Sequence, residues 1–358
     1  GRGGDAARTT GPAGSRRVRS VARRAAGVVL AVLAAGATPA RAEAITVDVK
    51  PIRQFHVRDP LRTFGALTFL GGLTLTSRSG RFGGLSGMVG SDDGQDLLVV
   101  SDDGDWIALR LDQKTDGTPL GVSAARIDRR VGVDGAPVSS KTAGDAEALA
   151  RDGDGYLVSV ESERQLLFYP GPDPTIAAPT RRALPKEAGC VPGNGGLEAI
   201  AVAPPASPVA GALVMFAERG CDSGPAATGA LPVWLSDTGG IRRLRLVKDG
   251  DFRPTDAAFL PGGDLLLLER RYNGGFDIGM RIRRIPRDAF AGTAPLDGPV
   301  LIEADFAYEI DNMEGLAVSR DARGRPLITL ISDDNKSFLQ RTLLLRFRLE
   351  EIPPPVRP

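Results

Sequence analysis

The sequence predicts an all-β chain: a β-propeller with five recognisable blade repeats, five- or six-bladed, closed by an N-terminal strand. Two observations carry this. One pattern recurs five times: an acidic or hydroxyl residue, a small apolar run, a turn of Gly, Asp or Pro, an aliphatic run, and an acidic residue. Its opening positions Ser86, Glu147, Glu198, Asp256 and Glu314 lie 61, 51, 58 and 58 residues apart. A repeat of roughly 40–60 residues with several strands per unit is that of a propeller array. Helical periodicity is also nearly absent after the N-terminal segment.

Residues 1–42 are expected to be a secretory signal peptide with an N-terminal extension. Arg16, Arg17, Arg19, Arg23 and Arg24 precede the apolar stretch Ala25–Ala37, and Ala40-Arg41-Ala42 forms a small-residue cleavage signal. The apolar stretch is shorter than the about 20 residues of a membrane span, although an uncleaved N-terminal anchor is the alternative. Cleavage near Ala42 implies a periplasmic or secreted protein. Ser15-Arg16-Arg17 weakly matches a twin-arginine signal, with Arg19 where that signal prefers an apolar residue.

Residues 43–63 form an N-terminal lead. Gly65–Thr76 alternates and is rich in Leu, Thr and Phe, so it reads as a strand without a complete blade of its own. Gly65–Leu75 is therefore the expected closing strand, paired with the last blade to hide sheet edges. Asp92-Asp93-Gly94, Asp152–Gly155 and Pro261–Asp264 are hairpin signals between first and second strands. Asp152–Gly155 could pass for a calcium loop, but it lacks the spaced ligands and terminal Glu of an EF-hand. Third strands are expected at Trp106–Asp112, Gln165–Tyr169, Pro232–Ser236, Met280–Ile285 and Arg341–Glu350. Outer strands are expected at Ser123–Arg129, Arg181–Leu184, Ile241–Val247 and Pro299–Phe306. The propeller thus spans 64–350, with a Pro-rich tail at 351–358.

Charge and composition exclude several functions. The whole chain has a formal net charge of +1, and residues 1–42 hold eight Arg and one Asp, so the remainder stands at −6. That balance gives no footprint for nucleic acid, and no transmembrane span is expected in the mature chain, which reads as a monomer. Cys190 and Cys221, the only cysteines, lie in Gly/Pro-rich sequence. A disulfide between them is expected in an oxidising compartment, with two free thiols as the alternative. The sole histidine, His56, is in the lead. There is no G-x-S-x-G elbow and no nucleotide-binding glycine pattern in a strand–helix context, so a Ser-His-Asp hydrolase is disfavoured.

The chemistry is expected where the repeats begin and end. The start of each first strand and the end of each second strand share one rim of the central channel. This brings Ser86, Glu147, Glu198, Asp256 and Glu314 together with Asp102/Asp103, Glu161/Glu163, Glu218, Glu269 and Asp333/Asp334. So many carboxylates repel unless a cation, protons or Arg compensate. Oxygen-only ligands suit a hard cation, Ca²⁺ or alternatively Mg²⁺. The competing possibilities are carboxylates that hold blades together by accepting backbone N–H groups and acid/base carboxylates working without metal. Basic residues follow the acids in Glu163-Arg164, Glu218-Arg219 and Glu269-Arg270-Arg271. They would hold an anionic substrate or balance their acidic neighbours.

The set FLGGLTLTSRSGRFGGLSGM (69–88), LLVVSDDGDW (97–106), DAEALA (145–150), GGLEAIAV (195–202), RPTDAAFLPGGDLLLLERR (253–271) and NMEGLAV (312–318) resembles the bacterial phytase-like family, named for the esterase-like activity of phytase. The resemblance covers about residues 64–348. It implies an exported propeller distantly similar to calcium-dependent propeller phytases and metal-dependent lactonase-type propellers, with an ester-cleaving activity. It carries over no catalytic residue. The residues themselves suggest Asp102, Glu147, Glu198, Glu314 and Asp333 as cation ligands. Glu218 or Glu269 would handle water, and Arg219, Arg270 and Arg271 would hold a small anionic ester or phosphoester. The alternative is a non-catalytic propeller that binds a ligand or an envelope protein around a structural cation.

Overall fold

The computed structural model describes residues 42–186, 188, 196–220, 229–274 and 277–350. The expected signal segment up to Arg41, and with it Cys190 and Cys221, lies outside the described residues.

The N-terminal lead supplies strands β1 (Glu43–Ile45), β2 (Val47–Ile52) and β3 (Thr63–Phe64), followed by β4 (Leu67–Ser77). Blade 1 is β5 (Leu85–Gly90), β6 (Asp96–Ser101), β7 (Asp105–Gln113) and β8 (Pro119–Arg129), with β1 added at its outer edge. Blade 2 is β9 (Ala146–Asp152), β10 (Gly155–Val160), β11 (Gln165–Tyr169) and β12 (Thr180–Arg182). Blade 3 comprises β13 (Leu197–Val202), β14 (Leu213–Ala217), β15 (Ala230–Asp237) and β16 (Gly240–Val247). Blade 4 comprises β17 (Arg253–Phe259), β18 (Leu265–Tyr272), β19 (Ile278–Ile285) and β20 (Val300–Asp305). Blade 5 contains β21 (Asn312–Arg320), β22 (Pro326–Asp333) and β23 (Thr342–Leu349). Its outer strands come from the other end of the chain, β4 against β23 and β2 against β4.

The described residues therefore form five blades, and the N-terminal strand closes the ring, with Thr342 opposite Leu75 and Leu349 opposite Leu67. Every pairing within a blade is antiparallel, as short hairpin connections require. Asp152–Gly155 is a hairpin turn, Gly153 taking the positive φ of 56° that a tight turn of this kind favours.

Each blade is apolar on both faces because each is covered by two neighbours. Five buried clusters result, one at each blade–blade junction. The lead is tied down at the junction of blades 4 and 5, where Phe55 is buried against Phe64, Phe69, Tyr308 and Phe347 at centroid distances of 5.0–5.5 Å. At the junction of blades 5 and 1, the buried Arg346 donates to Thr329, Gln113 and the carbonyls of Gly117 and Gly94. With only neutral acceptors around it, burial pulls that guanidinium down to about 10.

Candidate active site

The inner strands β5, β9, β13, β17 and β21 share an irregularity that a linear pattern does not display. In each, the register against the second strand slips near its start. The slips lie between Leu85 and Met88, Ala146 and Ala148, Leu197 and Ala199, Pro254 and Asp256, and Met313 and Gly315. A β-bulge leaves one residue unpaired and re-aims its side chain. The residues so released are Ser86 (with Gly87), Glu147, Glu198, Thr255 and Glu314.

The second strands end in step with these bulges. Asp102 N–H donates to Gly84 O at 3.0 Å, Glu161 to Asp145 O at 2.9 Å and Glu218 to Gly196 O at 3.4 Å. Arg270 lies opposite Arg253 and Asp333 opposite Asn312 at the same level. The acidic end of the ring is thus Ser86, Glu147, Glu198, Thr255 and Glu314, backed by Asp102, Glu161, Glu218, Arg270 and Asp333.

This registration corrects three expectations in blade 4. The equivalent of Glu147, Glu198 and Glu314 is Thr255, not Asp256, and the equivalent of Asp102 and Asp333 is Arg270, not Glu269. A one-residue shift puts a side chain on the opposite face of a strand. Glu269, expected to handle water, instead occupies the position of the buried Ser101, Ala217 and Ser332. Its carboxylate is clasped between Arg281 (2.8 and 3.3 Å) and Arg283 (2.8 and 2.6 Å), so it is a blade-internal ion-pair hub. Arg271, expected to hold substrate, leaves the rim by the same alternation. It pairs with Asp277 at 3.1 Å and stacks over Phe252.

Asp256 falls deeper, level with Gly87, Ala148, Ala199 and Gly315. Its carboxylate accepts the N–H groups of Leu316 (2.6 Å) and Ala257 (2.8 Å) and that of Met88, joining inner strands of blades 4, 5 and 1. Burial pushes this carboxyl well above its ordinary range. The ring is too tight here for larger neighbours: a Cβ on Gly87 would sit 2.3 Å from Leu149 N. Asp256 therefore closes the floor of an acidic cup, a structural carboxylate of the kind that competes with a ligand set.

Within the cup, Asp145, Glu147 and Glu161 bring one oxygen each to within 4.8 Å of one another. Glu161 is fixed by Gly196, whose N–H donates to Oε1 at 3.0 Å and whose missing Cβ leaves room for the Glu161 side chain. Among the described residues, neither Glu147 nor Glu198 has a hydrogen-bond or ion-pair partner, and Glu198 is only 8% exposed. Burial, then Glu314, raises Glu147 well above the carboxylate range; burial, then Glu147, does the same to Glu198. Asp102 is pushed up chiefly by burial, and its Oδ1 is buried without a hydrogen-bond partner.

The far wall is internally compensated. Arg270 lies 2.9 Å from Glu314 and donates to Asn312 Oδ1, while Asn312 Nδ2 reaches Asp333 at 3.4 Å. Burial opposes the charge of Arg270, yet Glu314, Glu218, Glu198 and Glu147 together hold it above the usual range. Burial lifts Glu314 and Asp333 each to about 7. Above this wall Lys336 pairs with Asp103 and holds it below the ordinary range, and Lys141 stands 3.5 Å from Asp102. Arg219 pairs with Glu218 at 3.2 Å.

The structure thus brings Asp102, Glu147, Glu198, Glu218, Arg270, Glu314 and Asp333 to one end of the ring and withdraws Glu269 and Arg271. It adds Asp145, Asn312 and Thr255, and it sets Glu161, expected at the rim, beside Asp145 and Glu147. The signal for Asp145 and Asn312 was available, since each stands two residues before the repeat's opening Glu.

A family model described as "Phytase-like: Esterase-like activity of phytase" matches residues 80–336. No curated protein matches the chain. Among solved structures, the β-propeller domain of Cps50 (Swd1) from Myceliophteria thermophila aligns with a TM-score of 0.38 at 12% identity, covering 84% of this chain and 99% of that one. The PQQ-bound aldose sugar dehydrogenase of Streptomyces coelicolor aligns with a TM-score of 0.39 at 15% identity, covering 86% and 99%.

Proposed function

Because the chain belongs to the phytase-like family, we propose that it is a calcium-dependent hydrolase of small anionic esters or phosphoesters, working in the acidic cup. The observation that carries this reading is the pair Glu147, half-buried, and Glu198, buried: both are raised well above the ordinary range, and among the described residues neither side chain has a hydrogen-bond or ion-pair partner. Buried like charges are costly unless a cation or protons neutralise them.

The donors fit Ca²⁺, which takes six to eight oxygens in flexible geometry; Mg²⁺ is the alternative. Asp145, Glu147 and Glu161 would hold it, with Glu198 completing the set and the orphan Oδ1 of Asp102 facing the same problem of charge. When bound, the cation supplies Lewis-acid polarisation of the ester oxygen. Glu314, at about 7, is matched to accept a proton from the attacking water and return it to the leaving group. Arg270, held by Asn312 beside Glu314, is placed to stabilise negative charge on the reacting oxygen. The products are an acid and an alcohol, with the water proton passing through Glu314.

An Arg-rich segment before an apolar run, and a first described strand beginning at Glu43 directly after Ala42, support export of the folded domain. Among the described residues no helix is long and apolar enough to cross a membrane.

The test is release of nitrophenol or phosphate from model esters, with metal content and melting temperature measured before and after chelation. Calcium-dependent turnover with a calcium-dependent rise in melting temperature is the expected result. A melting shift without turnover on any ester would leave a binding propeller with a structural cation. Turnover indifferent to chelator would refute the metal.

A further inference from the structure

Between blades 2 and 3 lies a cavity of ≈ 240 Å³ that no step above uses. Its wall is largely aliphatic: Val160, Leu184, Pro185, Ala188 and Leu197. Glu161, Arg164, Gln165 and Lys186 also line it, and Ser159 has its hydroxyl committed, donating to Leu197 O at 2.7 Å and accepting from Ala148 N at 3.0 Å.

The cavity's position links it to the cup. Strand β10 ends at Val160, β11 begins at Gln165 and β13 begins at Leu197, so the cavity lies at the acidic end of both blades. Glu161 belongs to both places: it lines the cavity and is one of the three carboxylates that converge within 4.8 Å. The Gly196 N–H pins that carboxylate at the boundary. A molecule filling the cavity would therefore present its polar end to Glu161 and the cation group.

We infer that this cavity is the subsite for the apolar acyl group of the ester. The inference rests on the hydrolase proposed above and names its substrate class. At about 30 Å³ per water-sized volume, the space admits an acyl group of roughly four to eight heavy atoms. Each methylene buried there contributes about 0.8 kcal/mol, or about fourfold in specificity. Esters of short- to medium-chain acids are thus preferred over acetate and over long-chain lipids.

Two measurements on the calcium-loaded protein separate this inference from the hydrolase itself. The first is kcat/KM for nitrophenyl esters from acetate to decanoate. The second is calorimetric binding of the matching carboxylates, which needs no turnover. In the unmodified protein both should climb about fourfold per methylene and level off near six to eight carbons. Ala188→Trp, which fills the cavity from its wall, should flatten the climb while leaving acetate unchanged. Leu184→Ser should weaken hexanoate several-fold and acetate little. A flat profile in the unmodified protein overturns the subsite, as does an unchanged climb in both variants. Chain-length-dependent binding lost in Ala188→Trp, with no ester turned over, upholds the subsite and sinks the hydrolase. Neither binding nor turnover sinks both.

Discussion

The two ends of the inner ring are built from the same five strands and differ in one local feature. At the acidic end every inner strand bulges and releases Ser86, Glu147, Glu198, Thr255 or Glu314 toward the cup. Beyond the bulge the pairing runs without further slips, and the same strands line a cavity of ≈ 220 Å³ with Met88, Leu149, Ile200, Phe259 and Leu316. The polar residues at that mouth include Asp92 and Arg151. Regular pairing gives packing, and a repeated interruption of it gives a cup of unmatched charge. Asp256, at the level between them, spends its carboxylate on backbone N–H groups and keeps the two ends apart.

The largest effect should come from a residue that sequence placed in the cup and structure withdrew from it. Glu269→Ala leaves Arg281 and Arg283 buried without their shared carboxylate and should cost about 3–5 kcal/mol of stability. Urea unfolding checks this, and whatever protein folds should keep its calcium-induced melting shift. Loss of that shift with little destabilisation would return Glu269 to the cup.

Next comes pH. Glu314 and Asp333 have folded values of about 7, above their ordinary 4.5 and 3.8. The folded state therefore holds protons that the unfolded state releases. Their contribution is complete below about pH 4 and is lost as pH rises through 7, on the order of 3 kcal/mol each. Without metal, the melting temperature should fall from pH 5 to pH 8, and added Ca²⁺ should shrink the fall. A metal-free protein equally stable across that range would contradict the charge crowding at the cup.

Glu147→Gln/Glu198→Gln should separate stability from function. Removing crowded carboxylates should raise the melting temperature of the metal-free protein, abolish the calcium-induced shift, and cut ester turnover by about 100-fold or more. Unchanged calcium response in this double variant would move the cation elsewhere. The smallest effect belongs to the opposite mouth. Arg151, which lies 5.1 Å from the Tyr156 ring centroid, should cost under about 1 kcal/mol when changed to Ala, with activity and calcium response untouched. A clear loss of turnover there would make the second mouth part of the site.

The fold was largely legible because strand alternation, hairpin turns and a repeat near 58 residues are local or periodic signals. The expected closing strand Gly65–Leu75 and the observed β4, Leu67–Ser77, differ by two residues at each end. The cup was legible in blades 1, 2, 3 and 5, where aligning the repeats by eye gives the right phase. Blade 4 misled because its sequence offers Asp256 and Glu269 each one position from the residue that faces the cup. A bulge changes which of two adjacent residues points inward, and no local propensity marks it.

What the sequence by itself determined is the propeller, the closing strand and the gathering of repeat ends at one mouth. These follow from periodicity and chain order alone. Only the tertiary structure decided which carboxylates stand unmatched and which are spent. Glu269 is neutralised by Arg281 directly opposite it and Arg283 two positions further along the neighbouring strand, Asp256 by N–H groups of three blades, and Arg270 by a Glu from the next blade. The charge a side chain must find a partner for is written in the sequence. Whether it finds one depends on strands brought beside it from elsewhere in the ring.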